Sequence, residues 1–176
     1  MRIISGKYRG MVLAQFGGKE IRPTADRVKE SLFNILSGEI AGASVLDLFC
    51  GSGNLGIECL SRGAARVHFN DISNDSIAVL KKNLARLKDE SCTVTAKDYA
   101  LCLSDAKNFD LVFIDPPYAT DFGVNSLKII ARGNTLNKGG IAVFERDRAF
   151  EGEIDGLEKY DERKYGKTYL TFFVKL

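Results

Sequence analysis

The sequence predicts an α/β fold, a doubly wound and mostly parallel seven-stranded sheet of Rossmann-like type. Three observations carry that reading. Short apolar runs such as VLDLF (45–49), DLVFI (110–114) and IAVF (141–144) alternate with helical patterns, as in βαβ units whose sheet is covered on both faces. A G-x-G-x-x-G stretch, Gly51 to Gly56, follows the first run. The chain then closes on two β-rich stretches, 157–163 and 168–175, around Lys164–Lys167, which read as an antiparallel hairpin added to the sheet.

The elements follow in order. Residues 2–13 (RIISGKYRGMVL) read as an N-terminal β-hairpin with bends at Gly6 and Gly10. Pro23-Thr24 opens a helix, with Thr24 as its cap and Asp26 in the first turn. Val28, Leu32, Phe33, Ile35 and Leu36 form its apolar face, and it ends near Gly38. Strands are expected over Ser44–Phe49, Arg66–Asn70, Cys92–Ala96, Phe109–Ile114 and Gly140–Glu145. Helices fill the gaps, most clearly over 73–88, where Ile77, Leu80, Leu84 and Leu87 recur at helical spacing.

Composition bounds the function. A chain of 176 residues makes about one domain on a prior of roughly 150 residues each, so 1–176 reads as a single unit. With 45% hydrophobic and 27% charged residues it is neither disordered nor fibrous. No apolar run approaches the ~18 residues of a membrane span, and MRIISGKYRG holds no apolar leader segment. A monomer in the cytoplasm, away from membranes, is expected. Cys50, Cys59, Cys92 and Cys102 include no C-x-x-C pair, and the chain has one histidine, so free thiols and no metal are expected. Charge is uneven: residues 1–36 carry +4 and the remainder −2. A basic edge on a near-neutral body points to a polyanion.

The glycine loop has the right context for a nucleotide-type cofactor, after a strand and before a helix. Asp71 lies 20 residues after Gly51, at the end of strand two, where a carboxylate can accept both hydroxyls of a ribose. Two cofactor classes fit: a dinucleotide or S-adenosylmethionine. Asp47, inside strand one, favours the second. It would repel a pyrophosphate but attract an ammonium and a sulfonium, and a unit pair at about 4 Å is worth ~4 kcal/mol at an effective dielectric of 20. Asp98 follows strand three and can accept from an adenine amine. Phe49, Ser52, Asn54, Ile72 and Tyr99 flank these positions and complete the expected cofactor wall.

Strand four ends in Asp115-Pro116-Pro117-Tyr118. The prolines fix two φ angles and remove two amide donors, which leaves carbonyls free to face a ligand. Asp115 and the Pro116 carbonyl can hold one exocyclic amine with its lone pair directed at a methyl donor. Tyr118 offers a face on which a base can stack. Such chemistry is positioning and electrostatics rather than strong base catalysis.

These motifs resemble the amino-methylating, S-adenosylmethionine-dependent class I methyltransferases. More closely, the chain resembles the bacterial 16S rRNA (guanine(966)-N2)-methyltransferase family, through RIISGKYRG, RPTADRVKESLFNIL (22–36), VLDLFCGSGNLGIECLSRGA (45–64), DPPY and KYGKTYLTFF (164–173). The resemblance implies methyl transfer to the exocyclic N2 of a guanine in small-subunit rRNA, free or in an assembling subunit. It implies that 1–38 is a lid and RNA platform on a catalytic core of 44–176, with Arg22, Pro23 and Thr24 on the cofactor side. It implies cofactor contacts from Gly51, Gly53 and Asp71, and base contacts from Tyr118, Tyr165 and Gly166. Arg2, Lys7 and Arg9 are candidate RNA contacts. The chain departs from the family pattern at Cys50 and Asp71, where the family carries Ala and Glu.

Other residues read more plainly. His68 is a half-buried strand residue, Phe172 and Phe173 are core and edge of the last strand, and ERDR (145–148) is a solvated turn in which Arg146 or Arg148 can meet phosphate. The alternatives are an N6-adenine methyltransferase on DNA or RNA, since the amine clamp cannot tell the two purines apart, a glutamine-amide protein methyltransferase, and a non-catalytic NAD-type binding module.

Overall fold

The structure, a computed structural model, describes residues 1–15, 23–89 and 91–176, and the side chains of all of these but 23–25. Twelve elements are described: α1 (Pro23–Ile35), β1 (Ser44–Asp47), α2 (Asn54–Ser61), β2 (Arg66–Asn70), α3 (Asn74–Ala85), β3 (Cys92–Thr95), α4 (Tyr99–Asp105), β4 (Phe109–Ile114), α5 (Phe122–Arg132), β5 (Leu136–Arg146), β6 (Leu157–Tyr165) and β7 (Thr168–Lys175). The strands form one seven-stranded sheet in the order β3-β2-β1-β4-β5-β7-β6. Strands β1 to β5 pair in parallel. β7 runs antiparallel between β5 and β6. The chain winds outward from β1 to β3, then returns to place β4 beside β1. The carboxyl ends of β1 and β4 therefore flank the point where the strand order reverses, the crevice in which such sheets bind ligands.

Period-two alternation sends the strand side chains to two apolar layers. Val45, Phe69, Leu111, Phe113 and Phe172 pack against Phe33 of α1, Ile57 and Leu60 of α2 and Leu80 of α3. Leu46, Val112, Ile114, Phe144 and Phe173 pack against Leu103 of α4 and Leu127 and Ile130 of α5. Phe172 and Phe173 are both fully buried, and the edge strand is β6. This corrects the expectation of one core and one edge residue, because β7 is covered on either side by β5 and β6.

Several boundaries shift for local reasons. β1 stops at Asp47, because the Gly56 amide takes up the Asp47 carboxylate and the chain turns into the glycine loop. β3 ends at Thr95. α3 starts after Ser73, whose hydroxyl accepts from the Ser76 amide at 3.3 Å, and ends at Ala85. β5 begins at Leu136 rather than 140, through a register irregularity opposite Phe109–Leu111 that Gly139 accommodates at φ +78°. α1 begins at Pro23, so Thr24 lies inside the helix rather than capping it. Proline is favoured at a first helical position because its missing amide donor has no partner there anyway.

The N-terminal hairpin exists as a small bridged loop, with Ile3 donating to Met11 and Leu13 to Met1 at 2.9 Å each. Its anchor is Glu58 of α2, which is fully buried. Glu58 accepts from the amides of Ile4 (2.9 Å) and Ser5 (3.0 Å), from Lys29 Nζ (2.9 Å) and from Arg62 Nε (2.8 Å). Burial alone would raise its pKa, but these donors outweigh it and hold the carboxyl below its ordinary value. Lys29 Nζ also donates to the Arg2 carbonyl and to Asn54 Oδ1. Gly6 turns at φ +82°, where an added Cβ would fall on the Ser61 carbonyl. Only glycine lets the hairpin lie this close to α2.

Glu58→Gln is expected to destabilise the fold by about 3–5 kcal/mol in urea unfolding, because it breaks a buried ion pair from one side. The folded pKa of Glu58 lies below the unfolded value of 4.5. Its contribution is therefore complete above that pH and is lost as the pH falls through the folded value. Gly6→Ala is expected to cost at least ~1–3 kcal/mol in the same measurement, through left-handed strain and the Ser61 collision.

Candidate active site

Two cavities open at the carboxyl end of the sheet. The smaller, about 280 Å³, is lined by Phe49, Asp71, Ile72, Asp98, Tyr99 and Phe122, among others. The larger, about 690 Å³, lies between the glycine loop, α1 and the β6–β7 turn, and its walls include Asp47, Ser52, Asn54, Tyr118, Glu145 and Tyr165. Asp115 and Phe49 line both. The tetrad after β4 is thus the partition between the two.

The smaller cavity is flat-walled. Tyr99 stands 5.7 Å from Phe49 and 5.0 Å from Phe122, centroid to centroid. Ile72 is an exposed apolar side chain on the rim. Asp71 accepts from the Gly51 amide through Oδ2 and from the Ser73 amide through Oδ1, both at 2.9 Å. A carboxylate oxygen has two acceptor sites, so each oxygen retains capacity for a ligand hydroxyl. Asp98 caps α4 by accepting from the Ala100 amide at 2.8 Å, which leaves its second oxygen for the cavity. Asn70 braces the floor. Its amide donates to the carbonyls of Leu48 and Lys97, and its oxygen accepts from Thr95 and from the Lys97 amide.

The glycine loop is built to be tight. Gly51 (φ +53°) and Gly53 (φ +85°) both take left-handed backbone, and a Cβ on Gly53 would collide with Leu80. Asn83 of α3 ties the loop to the N-terminal segment. Its amide donates to the carbonyls of Ser52 (2.9 Å) and Ala14 (3.1 Å), and its oxygen accepts from the Ala14 amide. Asp47 accepts from the Gly56 amide at 2.9 Å. Burial pushes its pKa up to about 7; the Gly56 bond opposes this and the Asp71 charge adds to it.

The tetrad emerges from β4 as expected. Asp115 is raised well above the ordinary carboxylate range by burial first, then by the charges of Glu145 and Asp47. Pro116 is buried, and Pro117 is exposed with its carbonyl accepting from Thr120 at 2.8 Å. Tyr118 is 51% exposed. Its hydroxyl donates to Glu145 Oε1 at 3.2 Å, and burial with the nearby Glu145 pushes its pKa up to about 12. Ala119 sits at φ +67°, an uncommon conformation for a residue with a Cβ, and turns the chain back after Tyr118. Tyr165 and Gly166 reach the larger cavity from the β6–β7 turn, where Gly166 has φ +63°.

Most of the sequence-derived site residues converge. Asp47, Phe49, Gly51, Ser52, Asn54, Asp71, Ile72, Asp98, Tyr99, Asp115, Pro116, Pro117, Tyr118, Tyr165 and Gly166 all line the two cavities. Gly53 lies beneath them as the cap of α2. Arg2, Lys7 and Arg9 do not reach the cavities; they are exposed on the hairpin. Arg22 and the side chains of Pro23 and Thr24 lie outside the described residues. His68 is held by Thr95 at 2.8 Å and Thr93 at 3.0 Å, a strand residue as expected. ERDR is not a solvated turn throughout, because β5 continues through Arg146 and brings Glu145 to the larger cavity. The Arg146 guanidinium covers Phe144 and Phe150. Glu145, Phe122 and Lys29 belong to the cavity walls and escaped the sequence reading. Only the alternation of β5, carried one residue past its apolar run, points to Glu145. Among the described residues no group of three His, Cys, Asp or Glu is arranged to hold a metal.

Comparison with known proteins identifies the family. Residues 1–174 match the family described as Conserved hypothetical protein 95. Ribosomal RNA small subunit methyltransferase D of Haemophilus influenzae is 35% identical over 153 residues, covering 84% of this chain and 79% of that protein. YlbH of Bacillus subtilis is 36% identical over 182 residues, 99% of each. The solved structure of yhhF from Escherichia coli superposes with a TM-score of 0.89 at 30% identity, over 99% of this chain and 97% of the other. An end-to-end match of sequence and of sheet together makes the chain a member of the Conserved hypothetical protein 95 family and a homologue of ribosomal RNA small subunit methyltransferase D.

Proposed function

We propose that this chain is an S-adenosylmethionine-dependent methyltransferase that places a methyl on the exocyclic N2 of a guanine in 16S rRNA. One observation carries the reading: Asp115 is shared by a flat, aromatic-walled cavity and a larger open one. A group in the wall of both can meet a cofactor on one side and a base on the other. The curated relative from Haemophilus influenzae, named for ribosomal RNA small subunit methylation, supports the substrate class.

The residues present fit the cofactor by their chemistry. Asp71 and Asp98 offer acceptors for ribose hydroxyls and an adenine amine, while Phe49, Tyr99 and Phe122 supply flat apolar walls. Asp47 is a buried acid on the larger cavity, suited to an ammonium. S-adenosylmethionine supplies, when bound, an electrophilic methyl on a sulfonium. The protein's own work is to hold and discharge the amine. Asp115 and the Pro116 carbonyl accept from the two amine hydrogens, which leaves the nitrogen lone pair free. Tyr118 stacks on the base, worth ~1–3 kcal/mol. Asp115, as a carboxylate, stabilises the positive charge that develops on the nitrogen and takes the proton that is then lost. A paired guanine cannot reach this cavity, so the target is unpaired or flipped out, at a few kcal/mol. The exposed Arg2, Lys7 and Arg9 suit phosphate contact on the hairpin.

The direct test uses methyl-labelled S-adenosylmethionine with undermethylated small subunits, naked 16S rRNA and DNA, followed by digestion and mass spectrometry. Labelled N2-methylguanosine is the expected product. N6-methyladenine would keep the amine clamp and overturn the substrate, and stabilisation by NAD alone would overturn both. Asp115→Ala is expected to lower turnover by on the order of 10²–10³ or more while leaving cofactor binding nearly intact. Asp71→Ala is expected to weaken cofactor binding by on the order of tenfold or more in calorimetry.

Asp47 provides a pH signature. Its folded pKa, about 7, lies above the unfolded 3.8, so its ionisation costs stability as pH rises between those values. Asp47→Asn is therefore expected to melt higher than the parent at neutral to alkaline pH in the absence of ligand. The same ionisation attracts a cation. Affinity for S-adenosylmethionine is expected to tighten from about pH 5.5 to about pH 7.5, below the loss of the ligand's own α-ammonium proton. Calorimetry on Asp47→Asn should find that rise gone.

A further inference from the structure

Glu145 is the acidic wall residue that the amine clamp does not use. The parallel pairing of Ile114 with Phe144 makes Asp115 and Glu145 the next residues on adjacent strands. Ile114 and Phe144 face the α4–α5 layer, so alternation turns Asp115 and Glu145 to the opposite side, where both line the larger cavity. Glu145 is partly buried there, with Oε1 on the Tyr118 hydroxyl at 3.2 Å. It therefore stands between the residue that would hold the amine and the ring on which the base would stack.

The two candidate purines differ at the atom beside the amine. Guanine presents N2–H₂ next to N1–H, two donor groups in a row. Adenine presents N6–H₂ next to an N1 lone pair. Asp115 and Pro116 engage an amine alone and accept either purine. A second carboxylate alongside accepts from N1–H and meets the adenine lone pair acceptor to acceptor. We infer that Glu145 reads the N1–H of the target base and selects guanine over bases that carry an acceptor at that position. Tyr118 donates to Oε1, which orients the carboxylate and leaves Oε2 for the base. The inference rests on the proposed N2-guanine activity and adds the residue that determines its specificity.

The test compares guanine with 2-aminopurine, which keeps the amine but has no N1 hydrogen. Small subunits are reconstituted on ligated 16S rRNA carrying either base at the position that the wild-type enzyme labels. Wild type should prefer guanine by about 100-fold or more, since a site built to hydrogen-bond a donor rejects the analogue that lacks it. Glu145→Gln, whose amide can also donate to N1, should narrow that preference to below about tenfold. The ratio is read within one preparation, so loss of folded protein scales both rates and leaves it unmoved. Tyr118→Phe removes the bond that orients the carboxylate, and should lower both rates and narrow the ratio by less than Glu145→Gln does. A Glu145→Gln enzyme that slows on both bases with an unchanged ratio would show a purely structural glutamate and overturn the inference. A wild-type enzyme that labels no guanine in the parent subunits would instead bring down the N2-guanine activity, and this specificity with it.

Discussion

A buried carboxylate that takes four donors from three parts of the chain is the contact on which the rest of the molecule depends. Glu58 draws Ile4, Ser5, Lys29 and Arg62 onto itself. It thereby fixes the hairpin on α2 and α1 on both. α2 is the helix that the glycine loop opens, and Asn83 joins that loop to Ala14. The N-terminal segment is consequently a wall of the site rather than an appendage. Such a cluster adds little net stability over an apolar one of the same shape, because desolvation offsets attraction. Its leverage is geometric, since one arrangement satisfies all the donors and partial arrangements strand a charge.

The same logic governs the acids at the top of the sheet. Parallel strands that start in register end together, and period-two alternation sends every second residue to one face. Asp47 pairs with Phe113 and Phe113 with Val143; two residues further on stand Asp115 and Glu145. Three carboxyls therefore share one half-enclosed space; burial raises Asp47 and Asp115, and neighbouring charges add to it, Asp71 at Asp47 and Glu145 with Asp47 at Asp115. A site in this condition is poorly satisfied alone and well satisfied by a cation. Electrostatic complementarity with the proposed, positively charged methyl donor is thus written into strand register as much as into residue choice.

Much of this is legible in the sequence alone. Apolar runs, glycine spacing and the tetrad located five parallel strands, the loop and the terminal hairpin, because each is a local signal. What escaped is non-local. Asn70 and Asn83 act as braces only because β2 and α3 fold beside loops that are distant in sequence. Glu145 looked like the start of a turn, since β5 exchanges apolar for charged residues before it loses its pairing to β7. Phe173 looked like an edge residue because strand order is invisible in sequence, and β7 inserts between β5 and β6. The shifted starts of α1 and β5 lie at positions where proline and glycine permit either assignment.

That insertion of β7 has a colloidal consequence. It hands the outer edge of the sheet to β6, LEKYDERKY, a nine-residue strand in which six residues are charged. An unpaired strand edge is a template for another chain, and charged side chains along it oppose such pairing. The apolar strand TYLTFFVK, far more prone to self-association, is sealed between two partners. At the other edge β3 is four residues long, too short to template much. The topology that carries the Tyr165–Thr168 turn to the larger cavity thus also leaves a sheet whose borders resist joining those of a neighbour, in a protein whose proposed work brings it to crowded ribosomal surfaces.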